Sequence, residues 1–376
     1  MSLRWKMRYE RVFSIVKKET REFLKDKIGL ITTILVPISM MLIFGFGLKL
    51  DVKKVPIGVL DFDKSYLSRE IINKISSNEE YFRLKRYFSS YKEVDEALKN
   101  GDVRAVVVFP FKFEENFKKG RGTFQTLIDG MFPYRAETIK SYIEAVVLKE
   151  NLSYFKKKGL NSPVEIKPRY WFNESLNQDY LVAVGTLAVV LAISPAVFSA
   201  LLIVKEKESG SIYNIYVSPV RKFEYLSGKL LFGFLVSSFN YFILVILLFF
   251  LFKVPFKGSL LLFFMSSFLF ILVSVSFGLL LSVFFRSQAA AFIGTVVFTI
   301  VPSILYTGFL TPISSFDSQA LVTAHLIPTF YYLRILKALF FKAAPFYLIA
   351  PDMLVLLAFF VSIFSLNVVL FKKRER

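Results

Sequence analysis

Cysteine is absent from the 376 residues, and histidine occurs once, at His325. The first absence excludes disulfides, thiolate metal ligands and cysteine nucleophiles, and the second leaves no histidine-based metal cluster. Charge is missing from the interiors of the long apolar runs. An ion-coupled carrier or proton relay keeps ionisable groups there, because placing one in a membrane costs at least ~2.5 kcal/mol. The runs contain only small polar groups such as Ser194, Ser199, Ser237, Asn240, Ser274, Thr295, Thr299 and Asn367, with Asp352 near the start of the last run. Such groups more often serve helix packing than ligand binding. A nucleotide loop is missing too. Its nearest trace, Ser227-Gly228-Lys229, is followed by Leu230 and has no first glycine, so backbone amides and a hydroxyl for phosphate and Mg²⁺ are not assembled. Any work this chain performs must draw energy from another polypeptide.

What is present is apolar and basic. Hydrophobic residues make up 55% of the chain, 44 of them phenylalanine, where a soluble protein carries about 45–50% even with glycine counted. A multi-pass membrane protein follows. The net charge of +19 would point to nucleic acid in a soluble chain. Here many of the lysines and arginines flank apolar runs, where lipid headgroups and the positive-inside bias account for them, and no nucleic-acid partner is expected.

In chain order, residues 1–27 form a basic arm with helical apolar spacing at Trp5, Tyr9, Val12, Phe13, Val16, Phe23 and Leu24. It reads as a cytoplasmic amphipathic helix, in the membrane interface or packed on protein. Its acidic residues Glu10, Glu19, Glu22 and Asp26 do not suit a secretory leader, and no leader removal is expected. The run from Ile28 to Leu48 is span one, within a segment taken as 28–50, and is long enough at 1.5 Å per residue to cross about 30 Å of hydrocarbon. Residues 51–178 switch to short apolar runs among charges of both signs, the mark of an inserted extracytoplasmic α/β domain. Strands are predicted at Pro56–Leu60, Phe82–Phe88, Arg104–Phe109 and Phe124–Asp129. Ser90 with Glu93 predicts a capped helix ending at Gly101, and Pro133–Lys158 a longer helix closed by Gly159. Asp61 and Asp63, or Asp129, would suit a metal or phosphate site, but turn and cap roles are the preferred reading. Tyr170, Trp171 and Phe172 suit an interfacial anchor or a core cluster.

Residues 179–371 hold spans two to six, predicted at Tyr180–Val204, Leu230–Phe252, Ser259–Phe285, Ala289–Leu310 and Ile349–Phe371. The segment 311–347 is apolar but broken by Pro312, Pro328 and Pro345, so it is expected to be an outer re-entrant or interfacial element. Arg334 and Lys337 within it are expected to snorkel to the interface rather than to meet headgroups or substrate. The basic tail 372–376 is placed in the cytoplasm. Six spans then leave both termini cytoplasmic in the inner or plasma membrane.

Between spans two and three lies Lys205–Lys229, KEKESGSIYNIYVSPVRKFEYLSGK. It is short and polar, pinned to the membrane at both ends, with Ser211 placed to cap a helical turn and Pro219 suited to start a helix. Glu206, Glu208, Gly210, Ser211, Ser218, Pro219, Glu224, Gly228 and Lys229 resemble the first cytoplasmic loop of type-2 ABC exporter permeases. Ser211 stands where threonine is usual, and Tyr213 and Asn214 replace the family's usual Glu or Leu. The segments VPIGVLDFDKSYLSREI, ALKNGDVRAVVVFPFKFEENFKKG, LIDGMFPYRAETIKSYI and RYWFNESLNQDYLV resemble those of permeases with a large external domain. TGFLTPISSFDSQ and LIPTFYYLRILKALF resemble the family's outer segment between spans five and six.

The resemblance implies a six-span α-helical permease that is not itself an enzyme and binds no cofactor. ATP and Mg²⁺ would sit on a separate ABC ATPase subunit, coupled through Glu206, Glu208, Gly210, Ser211, Pro219, Glu224, Gly228 and Lys229. A second permease copy or a similar permease, membrane lipid and an extracytoplasmic accessory protein are the other implied partners. The implied cargo is apolar or amphipathic: a drug, lipid or lipid-linked molecule. The alternative is an ATPase-coupled membrane complex that transmits force to an external partner and moves no cargo. An ordinary snorkelling connector is the plainer reading of the loop itself.

Overall fold

The computed structural model describes residues 2–47, 54–78, 81–119, 121–129, 136, 138–148, 178–310, 313 and 316–372. They divide into two compact units, Leu50–Arg169 and the remainder.

The smaller unit is a four-stranded sheet in the order β2-β1-β3-β4, with β1 at Val55–Asp61, β2 at Phe82–Phe88, β3 at Ala105–Phe109 and β4 at Gln125–Ile128. β1 pairs in parallel with β2 and β3, and β4 runs antiparallel to β3. Because strand side chains alternate between faces, β1 and β3 bury two separate layers. Ile57, Val59, Val107 and Phe109 meet helices α3 (Tyr66–Ser76) and α5 (Phe113–Lys118) and Ile139 and Ile143 of a helix, α6, described over 138–148. Leu60, Val106 and Val108 meet Val94 and Ala97 of α4 (Tyr91–Lys99) on the other face. The predicted strands match the observed ones to within a residue or so. Ser90 caps α4 by accepting the Glu93 N–H, while the Glu93 carboxylate accepts from Ser89 N–H at 3.2 Å. Asp61 is a turn residue, its Oδ1 accepting from the N–H of Asp63 and Lys64, and Asp129 pairs with Arg104. The predicted end of the long helix, its closing Gly159 and the aromatics 170–172 lie outside the described residues.

The larger unit begins with α1 (Ser2–Lys25) and α2 (Lys27–Gly47). It continues with α7 (Gln178–Glu208), α8 (Ile212–Val217) and α9 (Lys222–Ile246), which runs on through a π-helical turn at Leu247–Leu251. Then come α10 (Leu260–Leu281), α11 (Gln288–Leu305), α12 (Ser318–His325), α13 (Pro328–Lys342) and α14 (Phe346–Leu370). Six of these, α2, α7, α9, α10, α11 and α14, are long and apolar enough to cross a membrane. They correspond to the six predicted spans, although α11 stops at Leu305, five residues short of the predicted end, with Pro302 in its last turn.

α7 is buried along most of its length and contacts α2, α9, α10, α11 and α13. Its alanines and valines permit that closeness, since small side chains let helix backbones approach in lipid. The polar groups of the spans tie helices together, as packing groups should. Ser199 Oγ donates across to the Val275 carbonyl at 2.9 Å, Asn240 Nδ2 to Thr33 at 3.0 Å and Asn367 Nδ2 to Ser276 at 2.8 Å. The proline-broken segment folds as α12 and α13. α13 is sequestered among α7, α10 and α14, with Tyr332 stacked on Phe270 at 4.2 Å and hydrogen-bonded to Ser267. Arg334 and Lys337 do not simply snorkel. Arg334 Nε lies 3.4 Å from Asp352 of α14, and Lys337 Nζ donates to the Gly308 carbonyl at 2.7 Å.

Candidate functional site

Most of Lys205–Lys229 is not a loop. Lys205–Glu208 are the last turn of α7, and Lys222–Lys229 are the first two turns of α9. The apolar runs misled here, because a helix does not stop where its side chains become charged. Only residues 209–221 leave the spans, and α8 occupies six of them. Gly210 makes the turn between α7 and α8 with φ +74°, a left-handed conformation that costs a residue with a Cβ about 1–2 kcal/mol.

Two details of the sequence reading fail. Ser211 is the N-terminal flanking residue of α8, but its own backbone is already helical and its side chain makes no cap bond. Its hydroxyl instead meets that of Ser209 at 2.9 Å. Pro219 does not start a helix. It lies before Arg221, the residue at which α9 is capped by the Glu224 carboxylate accepting the Arg221 N–H at 2.9 Å.

The candidate residues fall into two sets. Glu206, Glu224, Gly228 and Lys229 are buried, whereas Glu208 and Pro219 are exposed and Gly210 and Ser211 are half-buried. The buried set forms an ionic cluster at the joint of α7 and α9. Lys229 Nζ, with 0% of its side chain exposed, lies 3.0 Å from Glu206 Oε1 and 2.9 Å from Glu19 Oε1, and donates to the Leu202 carbonyl at 3.1 Å. Lys18 Nζ donates to the same Glu206 oxygen at 2.7 Å, and Tyr225 OH donates to Glu206 Oε2. Two ammonium groups thus face two carboxylates. Burial of that many charges is tolerable because each has an opposite partner, and Lys229 and Glu206 have further hydrogen bonds, to the Leu202 carbonyl and from the Tyr225 hydroxyl respectively. Half-burial works to lower the Lys18 pKa, but the hydrogen bond to Glu206 and the charges of Glu206, Glu19 and Glu22 outweigh it and hold the ammonium above its usual value.

Glu19 and Lys18 belong to α1, so this cluster draws in a helix that the loop sequence alone does not include. α1 packs along α9. Gly228 makes the approach possible, since a Cβ there would come within 2.7 Å of the Ile15 side chain. Phe23 packs edge-on to Phe198 of α7 and Phe232 of α9 at 5.6 and 5.9 Å. Arg11 Nη1 meets Glu224 Oε2 at 3.4 Å and the Pro219 carbonyl at 3.3 Å. α1 thus packs on protein along one face, as one of the two readings of residues 1–27 expects. The buried face runs through Ile15, Val16 and Glu19, while Phe13 and Leu24, expected on the apolar face, are 67% and 63% exposed. The signal was in the sequence: Val12, Ile15, Val16, Glu19 and Phe23 share one helical stripe, and a carboxylate inside an apolar stripe asks for a cationic partner.

Two further charges of the α7 end grip the α10–α11 turn. Lys207 Nζ donates to the carbonyls of Ser282 and Val283 at 2.7 and 3.2 Å. Glu208 Oε2 accepts from the backbone and side-chain N–H groups of Gln288, the first residue of α11, at 3.0 and 2.9 Å. The outward surface of the segment is carried by Tyr213 and Val217 of α8, 60% and 86% exposed. Those positions and Asn214 are where the chain departs from, or lies outside, the quoted loop pattern.

The arrangement is a short helix presented outward, whose two flanking spans are bound to α1 and to the α10–α11 turn. Comparison with known proteins gives this geometry its context. The family model described as ABC-2 family transporter protein matches residues 27–369. The "Probable multidrug ABC transporter permease YbhS" of Escherichia coli K12 is 24% identical over 88% of this chain and 89% of its own length. YbhR of the same strain, named in the same words, is 23% identical over 89% and 91%. The "Inner membrane transport permease YhhJ" of that strain is 24% identical over 96% and 97%. With the match running through all six spans and the inserted domain, this multi-pass membrane chain belongs to the ABC-2 family of transporter proteins.

Proposed function

We propose that the chain is the permease subunit of an ATP-driven exporter and forms the path for an apolar or amphipathic cargo. A separate ABC ATPase subunit docks on the outward face of α8, supplies ATP and Mg²⁺ binding, and drives the spans through the cluster around Lys229. The observation that carries this reading is the division of labour in 205–229. Its buried Glu206 and Lys229, with Lys207 and Glu208, bind α1, α7, α9, α10 and α11 into one assembly, and its apolar residues Tyr213 and Val217 face outward with no covering among the described residues. A snorkelling connector has no need of a lysine with 0% side-chain exposure. The names of two relatives support a drug-like cargo. A second permease copy or a similar permease completes the path, and the exposed apolar faces of α2, α11 and α14 suit lipid and that second copy. Both termini lie in the cytoplasm of a cell with this protein in its inner or plasma membrane, and the α/β domain lies outside.

Co-purification from the native membrane in mild detergent tests it. The wild type is expected to retain an ATPase subunit, and Val217→Glu with Tyr213→Glu is expected to lose it while keeping the unfolding temperature of the wild type. Recovery of no nucleotide-binding protein with the wild type would remove the energy source and sink the reading. ATP hydrolysis without movement of any amphipathic probe into proteoliposomes would favour the force-transmitting alternative.

A further inference from the structure

The α/β domain carries an aromatic shelf that nothing in the coupling account uses. Three loops leave the carboxyl ends of the parallel strands β1, β2 and β3, and β1 is the strand at which the chain switches from one sheet edge to the other. In open α/β sheets this is where ligands and partners are met. Here the loops bring aromatic rings together. Phe62, after β1, stacks on Phe111, after β3, with centroids 5.0 Å apart and planes at 30°. It also lies 5.8 Å from Tyr91, which opens α4 after β2. Phe111 is 71% exposed, and Tyr66 in the first turn of α3 is 77% exposed.

Lysines border the rings. Lys64, Lys92 and Lys112 are exposed, and none has an ion pair among the described residues. The carboxylates beside them are spent inside the domain. Asp61 accepts from the N–H of Asp63 and Lys64 and, at 2.7 Å, from the Ser68 hydroxyl. Asp63 accepts from the Glu114 N–H at 3.0 Å, and Glu114 pairs with Lys118. Lys64 and Lys112 hold φ of 52° and 59°, a backbone that costs lysine about 1–2 kcal/mol and that fixes the two loops carrying Phe62 and Phe111.

The geometry points to this shelf as the docking surface for a protein partner that presents an acidic segment with apolar side chains. Rings this open do not enclose a small molecule, which is normally buried over most of its surface. Exposed, mutually stacked aromatics are the residues that anchor protein interfaces, and an ammonium rim selects and steers an anionic partner. The inference rests on the proposed function only for the side of the membrane on which the partner is met.

The test uses the full-length protein in detergent micelles and a phage-displayed library of short random peptides. Acidic, aromatic-containing peptides are expected to be selected. The synthesised winners are expected to bind ~10-fold or more weakly to Phe111→Ser, to weaken with salt, and to lose affinity to Lys64→Glu with Lys112→Glu. Lys99→Glu, at the other end of α4, serves as the charge control and leaves binding unchanged. Winners without acidic residues, or equal binding to Phe111→Ser, would overturn the inference. So would phosphatidylglycerol vesicles that bind the wild type and not Phe111→Ser, which would give the shelf to lipid. Cross-linking of Phe111→Cys to itself between two copies would give it to a second chain. Loss of the ATPase partner with peptide binding intact would count against the proposed function and not against the shelf.

Discussion

Two ion-paired sites of the helical unit differ in how far they are closed. At the joint of α7 and α9, Lys229 is wholly buried between two carboxylates, a second lysine and a tyrosine hydroxyl. At α13 and α14, Arg334 meets Asp352 through a single contact at 3.4 Å and is 48% exposed. The first pair cannot separate without leaving charge in a dry place, which costs several kcal/mol per ion. The second has one largely buried end, Asp352 at 10% side-chain exposure, and one half-exposed end, Arg334 at 48%, so water reaches the guanidinium as the pair opens and the cost is smaller than at the wholly buried lysine. The protein therefore keeps a stiff joint where α1 and two span ends meet and a compliant one between α13 and the last span.

Substitutions sharpen that contrast. Lys229→Met has the largest expected effect: Glu19 and Glu206 lose their shared cation, stability falls by about 3–5 kcal/mol, and the unfolding temperature in detergent drops accordingly. Adding Glu19→Gln restores the charge balance, with Lys18 still facing Glu206, and should recover a large part of the loss. Strict additivity of the two changes would contradict a shared cluster. Gly228→Leu comes next, driving its side chain into Ile15 at a cost of about 1–3 kcal/mol and freeing α1 to protease digestion. Glu208→Gln removes the charge but not the shape of the acceptor for Gln288. It is expected to leave unfolding almost unchanged and to lower transport per ATP hydrolysed. Arg334→Gln leaves the largely buried Asp352 with a neutral partner and is expected to cost less than Lys229→Met, because the lost cation was half exposed. An effect of Arg334→Gln as large as that of Lys229→Met would erase the distinction between the two joints.

Legibility in the sequence followed the reach of each signal. The sheet was readable nearly to the residue because β1 and β3 are short runs buried on both faces, bounded by turn residues such as Asp61 and Pro110. The six spans were readable because length and apolarity alone decide them. Their ends were not, since Lys205–Glu208 and Lys222–Lys229 continue helices in charged residues. The cluster was half visible. Glu206, Glu224, Gly228 and Lys229 stand out within one segment, but their partners Arg11, Ile15, Lys18 and Glu19 lie about 190–210 positions away. Hydropathy of single residues cannot announce a lysine with no exposed side chain, because lysine is buried only when another part of the chain neutralises it.

With the buried lysine joining them, α1, α8 and the ends of α7 and α9 are expected to move as one body. The cysteine-free chain permits a direct measurement: nitroxide labels on Phe13→Cys and Val217→Cys, both at exposed positions of α1 and α8, in the complex with the proposed ATPase subunit. Pulsed electron spin resonance should give one narrow distance distribution, the same without nucleotide and with ATP trapped, and a broadened one when Lys229→Met is added. A distance that shifts between the two nucleotide states in the otherwise wild-type chain would show that α1 and α8 move independently, and the claim would fail.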